Sequence, residues 1–395
     1  MKVLIGCSSP LDVGAGGILE YTKELSECLI LSGVEVHIAS PEPDDWSWCR
    51  KYGIKHIRTS QYADPISDSN KLYEYIMKAG IDGIINNDNP YLQSIIPLVK
   101  CPSITVGHLG EGVIASLACY QHRWSDYVVA ISQDMFSTFV KKFDLPVVKC
   151  PIVLNGIRDR YCNEGPISVD PGNVRVIFAG GYNRRKGAKK ILTSILSNPE
   201  RWRGATLDWF GYVPEKALRR ISHLEFVNYR GKVDREEFIK ALKNSDVIMF
   251  PSQSEGCPMA LIEAMCMSVV PIASNGIGAM SSIVDNGQNG FICQLGDWPN
   301  QATSCLEYLI SNPGVLKELK SNAREKYLRE FQSVIFTKKL LYLLSQPTVD
   351  RCVPASKAEI LHWHRPVPKG KNEATFINKI RFRAGILRRA GYLSI

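Results

Sequence analysis

The sequence predicts an α/β protein of two doubly wound, Rossmann-like domains that face one another across a central cleft. Three observations lead to this class. At 395 residues the chain is too long for one ordinary domain and long enough for two, each with its own core. Short apolar runs alternate with amphipathic helical patterns from the start, the rhythm of parallel strands joined by helical crossovers. That rhythm lapses around 151–172, where "LNGIRDRYCNEGPISVDPGN" crowds Gly, Pro, Asn and Asp together, and then restarts. The expected division is a first domain over 1–165, a second over 166–325, a helix over 326–345 crossing back to the first domain, and a basic tail over 346–395. Ligands of such sheets sit at the carboxyl ends of the strands, which is why a cleft is expected to hold the site.

The elements follow in order. "VLIGC" (3–7) reads as a buried strand and leads through a Gly-rich turn into "ILEYTKELSECLILSG", where Ile18, Tyr21, Leu25, Cys28 and Leu29 share a helical face and Gly33 ends it. "VEVHIAS" is the next strand. "DGIIN" (82–86), "SITVG" (103–107) and "YVVAIS" (127–132) complete the first sheet. After the linker come "VRVIFAG" (174–180), a helix from Lys186, "ATLDWFG" (205–211), "LEFVNY" (224–229), "VIMF" (247–250), "VVPIAS" (269–274) and "GFICQ" (290–294).

Composition sets bounds on function. Apolar residues make up 45% and charged residues 22%, the balance of a soluble globular protein. No apolar run reaches membrane-spanning length, and "MKVLIGCSSP" lacks the basic region and long apolar core of a signal peptide, so a cytoplasmic protein is expected. Twelve cysteines are scattered without a C-x-x-C pair or a zinc-finger histidine, which reads as reduced, mostly buried thiols and no metal site. The net charge is +9, but from Arg351 onward ten basic residues face only Glu359 and Glu373, a net of +8, so the body is close to neutral.

Three stretches can carry chemistry. "GAGG" (14–17) opens the first long helix; Gly16 and Gly17 let backbone approach a ligand, although a tight turn explains them equally. "GGYNRRKGAKK" (180–190) follows the first strand of the second domain, so Arg184, Arg185, Lys186 and helix amides can converge on an anion. "FPSQSEGCPMALIEA" (250–264) sets Glu255 in a polar turn and Glu263 inside the next helix, with Pro258 suited to the first helical position, where its missing N–H costs nothing. Both carboxylates can border one ligand. The competing explanation is a pair of glutamates favoured by the helix dipole.

The order of these parts, with "NG" at Asn155–Gly156 and "VNYRGKV" (227–233) between them, resembles the retaining glycosyltransferases of family 4, which have the GT-B fold. The resemblance covers roughly 1–345. It is most specific in "SDVIMFPSQSEGCPMALIEAMCMSVVPIAS" followed by "NGQNGFIC", with the two glutamates spaced E-x7-E. It implies that Glu263 accepts hydrogen bonds from the ribose of a nucleotide-sugar and that Glu255 lies beside the donor sugar. The amides of Cys257, Met259 and Ala260 would meet the sugar and diphosphate, with Gly256 and Pro258 bordering the donor beside them. Lys186 matches the lysine on the diphosphate. The arginine usual five residues before it is Gly181 here, with Arg185 the expected substitute, an "RKG" arrangement similar to that of lipopolysaccharide-core glucosyltransferases. His108, in "TVGHLGEG", matches a histidine near the donor sugar, and Gly231 and Lys232 border the base.

The resemblance implies transfer of a sugar from a nucleotide diphosphate-sugar to an acceptor hydroxyl with retention, in surface polysaccharide or glycolipid synthesis, without a cofactor. No D-x-D triplet stands in a suitable loop, which fits metal independence. The alternatives are a sugar-nucleotide epimerase of the same fold and a catalytically silent nucleotide-sugar-binding partner subunit. The expected partners are the donor and a saccharide or lipid-linked acceptor. In the tail, "ATFINKIRFRAGILRRAGYLSI" (374–395) sets Ile377, Ile380, Ala384 and Leu387 along one helical face among arginines and lysines, as a helix on an anionic membrane surface does. A helix packed on the body fits the same pattern. No nucleic-acid recognition motif accompanies the charge.

Overall fold

The computed structural model describes residues 1–8, 17–41, 47–59, 65–110, 115, 118–119, 122, 124–159, 170 and 172–347. Gly16, the loop residues 42–46 and the tail from 348 lie outside them. The chain forms two units, Met1–Leu154 together with the chain from Ser333 on, and Asn155–Gln332. The division therefore falls at Leu154/Asn155 and not at 165/166. The reason is that the Ile157 amide donates to the Phe331 carbonyl at 2.9 Å and Tyr327 Oη–H donates to the Ile157 carbonyl at 3.0 Å, which binds the start of the linker to the second unit.

The first unit runs β1 (Lys2–Cys7), α1 (Gly17–Leu31), β2 (Glu35–Pro41), α2 (Ser47–Tyr52), β3 (Lys55–Thr59), α3 (Pro65–Ala79), β4 (Gly83–Asn87), α4 (Pro90–Ile95), β5 (Ser103–Gly107), β6 (Tyr127–Ala130) and α5 (Gln133–Lys142). All six strands are parallel, in the order β3-β2-β1-β4-β5-β6. Strands β4 and β5 are buried along their whole length, which is why they read as continuous apolar runs in the sequence. β3 has no such signal. Its "KHIRT" alternates exposed and buried positions at the sheet edge, and the charged residues mask a strand there. α1 ends where Gly33 takes a φ of 78°, a left-handed C-terminal stop that glycine adopts without strain. A helix over Ser333–Ser345 packs on this unit: Phe336 lies against Tyr21 of α1, with ring centroids 5.4 Å apart.

The second unit runs β7 (Val174–Ala179), α6 (Ala188–Ser197), β8 (Ala205–Phe210), α7 (Glu215–Leu218), β9 (Val227–Gly231), α8 (Arg235–Lys243), β10 (Val247–Phe250), α9 (Met259–Cys266), β11 (Val270–Ser274), α10 (Met280–Ile283), β12 (Phe291–Cys293), α11 (Trp298–Ser311) and α12 (Pro313–Lys326). Its parallel sheet has the order β12-β11-β10-β7-β8-β9. Numbered within the unit, this is the same 3-2-1-4-5-6 winding as in the first unit. β9 begins three residues later than "LEFVNY" implies, because Leu224 and Val227 close turns with Ile221 and Leu224. Trp202, Trp209 and Trp298 are fully buried, and Phe178 meets Trp209 edge-to-face at 5.1 Å. Each such aromatic removes about 150–250 Å2 from water, at roughly 25 cal/mol per Å2.

Directly before β10, Asp246 is wholly buried between Arg175 and Lys320. Burial pushes its carboxyl up, but the hydrogen bonds from Arg175 and Lys320 outweigh this and hold it below the usual aspartate range. Of ten cysteines among the described residues, eight are buried.

Candidate functional site

In a 3-2-1-4-5-6 sheet the first and fourth strands run side by side while their crossovers leave in opposite directions, opening a crevice at their carboxyl ends. In the second unit these strands are β7 and β10, paired through Val176–Val247 and Ile177–Ile248. The β7 loop carries Arg185 and Lys186, and the β10 loop carries Glu255.

Backbone ties hold these loops. The Gln253 amide of the β10 loop donates to the Arg185 carbonyl of the β7 loop at 2.8 Å, and the Glu255 amide donates to the Ile277 carbonyl, in the loop after β11, at 2.8 Å. Glycine makes this possible at two positions. A Cβ on Gly187, at φ 72°, would fall 2.2 Å from the Pro251 carbonyl oxygen, and one on Gly278, at φ 125°, would fall 1.6 Å from the Glu255 carbonyl oxygen. Gly187 also caps α6, so that helix starts at Ala188, two residues beyond the expected Lys186. Lys186 sits in the preceding turn, its own amide bonded to Asn183 Oδ1 at 2.8 Å.

The side chains converge on Glu255. Lys186 Nζ donates to Glu255 Oε1 at 2.7 Å, and Arg185 Nη1 donates to Oε2 at 3.0 Å and to the Ser254 carbonyl at 3.3 Å. Lys186 also lies over the Phe250 ring, 5.7 Å from its centroid. Arg185 thus joins Lys186 on the same carboxylate. A Cβ at Gly181 would make only ordinary contacts, so nothing in the local space demands glycine there.

α9 begins beside this cluster. Pro258 is its N-cap, with φ −71° and ψ 108°, and not the first helical residue as expected. An extended ψ at Pro258 is what turns the chain from the loop into the helix. Cys257, Pro258 and Met259 are buried, whereas Gly256 and Ala260 are half-buried. Two anchors hold the helix. Asn155 Nδ2 donates to the Cys257 carbonyl at 2.9 Å, and at the far end Arg324 Nη1 donates to the Cys266 carbonyl at 2.7 Å, a cation at a helix C-terminus. Asn155 entered the sequence reading only as a landmark in a turn; its reach to Cys257 spans 102 residues, and nothing local signals it.

Glu263 does not share the Glu255 cluster. It is buried in α9, and its carboxylate is gripped by both terminal nitrogens of Arg235, the first residue of α8, with Nη1 to Oε2 at 3.2 Å. The sequence reading passed over Arg235, which looks like one more surface charge in "VDREEF". Gly231 ends β9 at φ 69°, and its carbonyl accepts from the Gly211 amide; Lys232 beside it is exposed.

His108 lies in the first unit, directly after β5. It is buried, Tyr21 meets its ring edge-to-face at 4.9 Å, and its Nε2 has no hydrogen-bond partner among the described residues. Burial pushes its imidazole down to about 3, so the ring is neutral at physiological pH. Gly17 opens α1, exposed and with open space where a Cβ would stand. Among the described residues no three of His, Cys, Asp and Glu form a group that could hold a metal ion, and no helix is long and apolar enough to cross a membrane.

Residues 166–326 match the family model described as "Glycosyl transferases group 1". An uncharacterised glycosyltransferase of Methanocaldococcus jannaschii is 29% identical over 332 residues, which cover 78% of this chain and 89% of the relative. A capsular polysaccharide biosynthesis glycosyltransferase of Staphylococcus aureus is 32% identical over 102 residues, 26% of each chain. Among solved structures, Anabaena HepE in complex with UDP superposes with a TM-score of 0.72 over 87% of this chain and all of its own, at 15% identity. At that identity the likeness speaks for the fold, which is GT-B.

Proposed function

We infer, from a chain that belongs through residues 166–326 to the group 1 glycosyltransferases, that it moves a sugar from a nucleoside diphosphate-sugar to an acceptor hydroxyl with retention. The observation that carries this reading is the convergence of Arg185 and Lys186 on Glu255 at the crevice between β7 and β10. Two cations and one carboxylate at the start of a helix suit a ligand with a diphosphate and a sugar next to it.

In this reading the donor's diphosphate meets Lys186, Arg185 and the amides at the start of α9, and Glu255 passes from its cations to the sugar. Glu263 takes the ribose hydroxyls. Gly231 and Lys232 border the base. The bond between the anomeric carbon and the phosphate oxygen breaks as the acceptor oxygen bonds to the same face. The acceptor's proton passes to the departing phosphate oxygen. Charge grows on that phosphate, and fixed cations and amides there lower the barrier without reorganising, so no metal ion is required of the mechanism. The capsular relative supports an acceptor in polysaccharide synthesis, a free or lipid-linked saccharide. The +8 tail, outside the described residues, suits an anionic membrane surface; deleting 351–395 should weaken sedimentation with anionic vesicles, and unchanged sedimentation removes that part of the reading.

The test is a thermal-shift panel of UDP-, GDP- and ADP-sugars against the wild type and Glu263→Ala. A rise with one donor, lost in the variant, supports the reading and names the base. Donor turnover that depends on an added acceptor then separates transfer from epimerisation and from silent binding.

A further inference from the structure

The Glu263 carboxylate is 3% exposed and Arg235, at 36%, holds both of its oxygens. A carboxylate offers about four lone-pair directions, and a guanidinium fork takes two of them. A buried carboxylate that lost this partner would be driven to turn away. Arg235 opens α8, on the far side of β9 in sequence from the Arg185–Lys186 loop. We propose that Arg235 is a positioning residue that holds the Glu263 carboxylate turned so that its remaining lone pairs receive the two hydroxyls of a donor ribose. The inference rests on the nucleotide-sugar reading above and adds a determinant of selectivity for ribonucleotides over nucleotides without the cis-diol.

The guanidinium's planar fork matters here as well as its charge, so lysine can replace it only in part. The experiment uses the full chain and whichever of UDP, GDP and ADP binds the wild type most tightly. Its affinity is compared with that of the 2′,3′-dideoxy form by calorimetry, for the wild type, Arg235→Ala, Arg235→Lys and Glu263→Gln. The expected result is that Arg235→Ala weakens the ribonucleotide about tenfold while leaving the dideoxy form within about twofold, the loss of one charge-assisted hydrogen bond. Arg235→Lys should lie between, and adding Arg235→Ala to Glu263→Gln should cost little more. Equal weakening of both nucleotides by Arg235→Ala and Arg235→Lys, with a matching fall in melting temperature, means that the pair only holds the fold and overturns the inference. So does unchanged discrimination. If no nucleoside diphosphate binds the wild type, the nucleotide-sugar reading itself fails and takes this inference with it.

Discussion

Lys186 Nζ stands 2.7 Å from Glu255 Oε1, and the two residues come from loops 69 positions apart. The anion that Lys186 neutralises is thus its own neighbour, a carboxylate only 9% exposed, with Arg185 on the other oxygen. On the proposed reading, a diphosphate that entered here would exchange one anion for another and need not assemble the cations itself, the condition under which preorganised charge is most effective.

Lys186→Ala is therefore expected to lower kcat/KM about 10- to 100-fold, the worth of a charge-assisted hydrogen bond or two, while the melting temperature moves little because Arg185 still pairs with Glu255. Steady-state kinetics with the donor found above checks it. A change of less than about twofold would remove Lys186 from the diphosphate site.

Gly278→Ala should act on the same cluster without touching a charged group. The new Cβ cannot coexist with the Glu255 carbonyl at 1.6 Å, and φ 125° is hostile to any L side chain, so the loop must move. A stability loss of about 2 kcal/mol or more is expected together with a fall in donor affinity. Urea denaturation and calorimetry on one sample measure both. Wild-type affinity in a destabilised variant would show that Glu255 tolerates displacement.

Asp246 makes a prediction about acid. Its folded value is lowered, so its contribution is fully present above the ordinary aspartate value of about 3.9 and is lost as pH falls through the lower folded value. Asp246→Asn leaves Arg175 and Lys320 with a buried neutral partner and should cost about 3–5 kcal/mol near pH 7. The gap between variant and wild type, read from denaturant unfolding, should narrow only once the pH drops below about 4. A gap that is constant down to pH 2.5 contradicts the assignment.

His108 predicts a slope at higher pH. Its folded value lies near 3 and its ordinary value near 6.5, so between these limits only the unfolded chain takes the proton. The sign follows: stability from this residue is complete above pH 6.5 and falls by about 1.4 kcal/mol per pH unit below it. His108→Gln should flatten the stability profile between pH 6.5 and 5. Parallel profiles would mean that the imidazole charges within the fold.

Much of the fold was legible because a parallel sheet is buried on both faces. "SITVG" and "VIMF" match their strands residue for residue, since burial selects continuous apolar runs. The edge strands β3 and β9 were missed or displaced because one side of each meets water and its charges erase the pattern. In the site, Lys186, Glu255 and Glu263 were visible as charges at places where strands end and helices begin. Their partners were not. Arg235 and Asn155 have ordinary local surroundings, and their significance lies in contacts 28 and 102 residues away.

The sequence by itself determined two doubly wound domains and which loops carry the charged residues, because hydrophobic periodicity and turn chemistry are local properties of the chain. Only the tertiary structure decided who pairs with whom. Lys186 and Arg185 close on Glu255, Arg235 closes on Glu263, and the division of the chain moves to Leu154/Asn155. The physical reason is that the strength of an ion pair or a buried hydrogen bond depends on distance and burial, quantities that exist only once segments distant in sequence have been brought together.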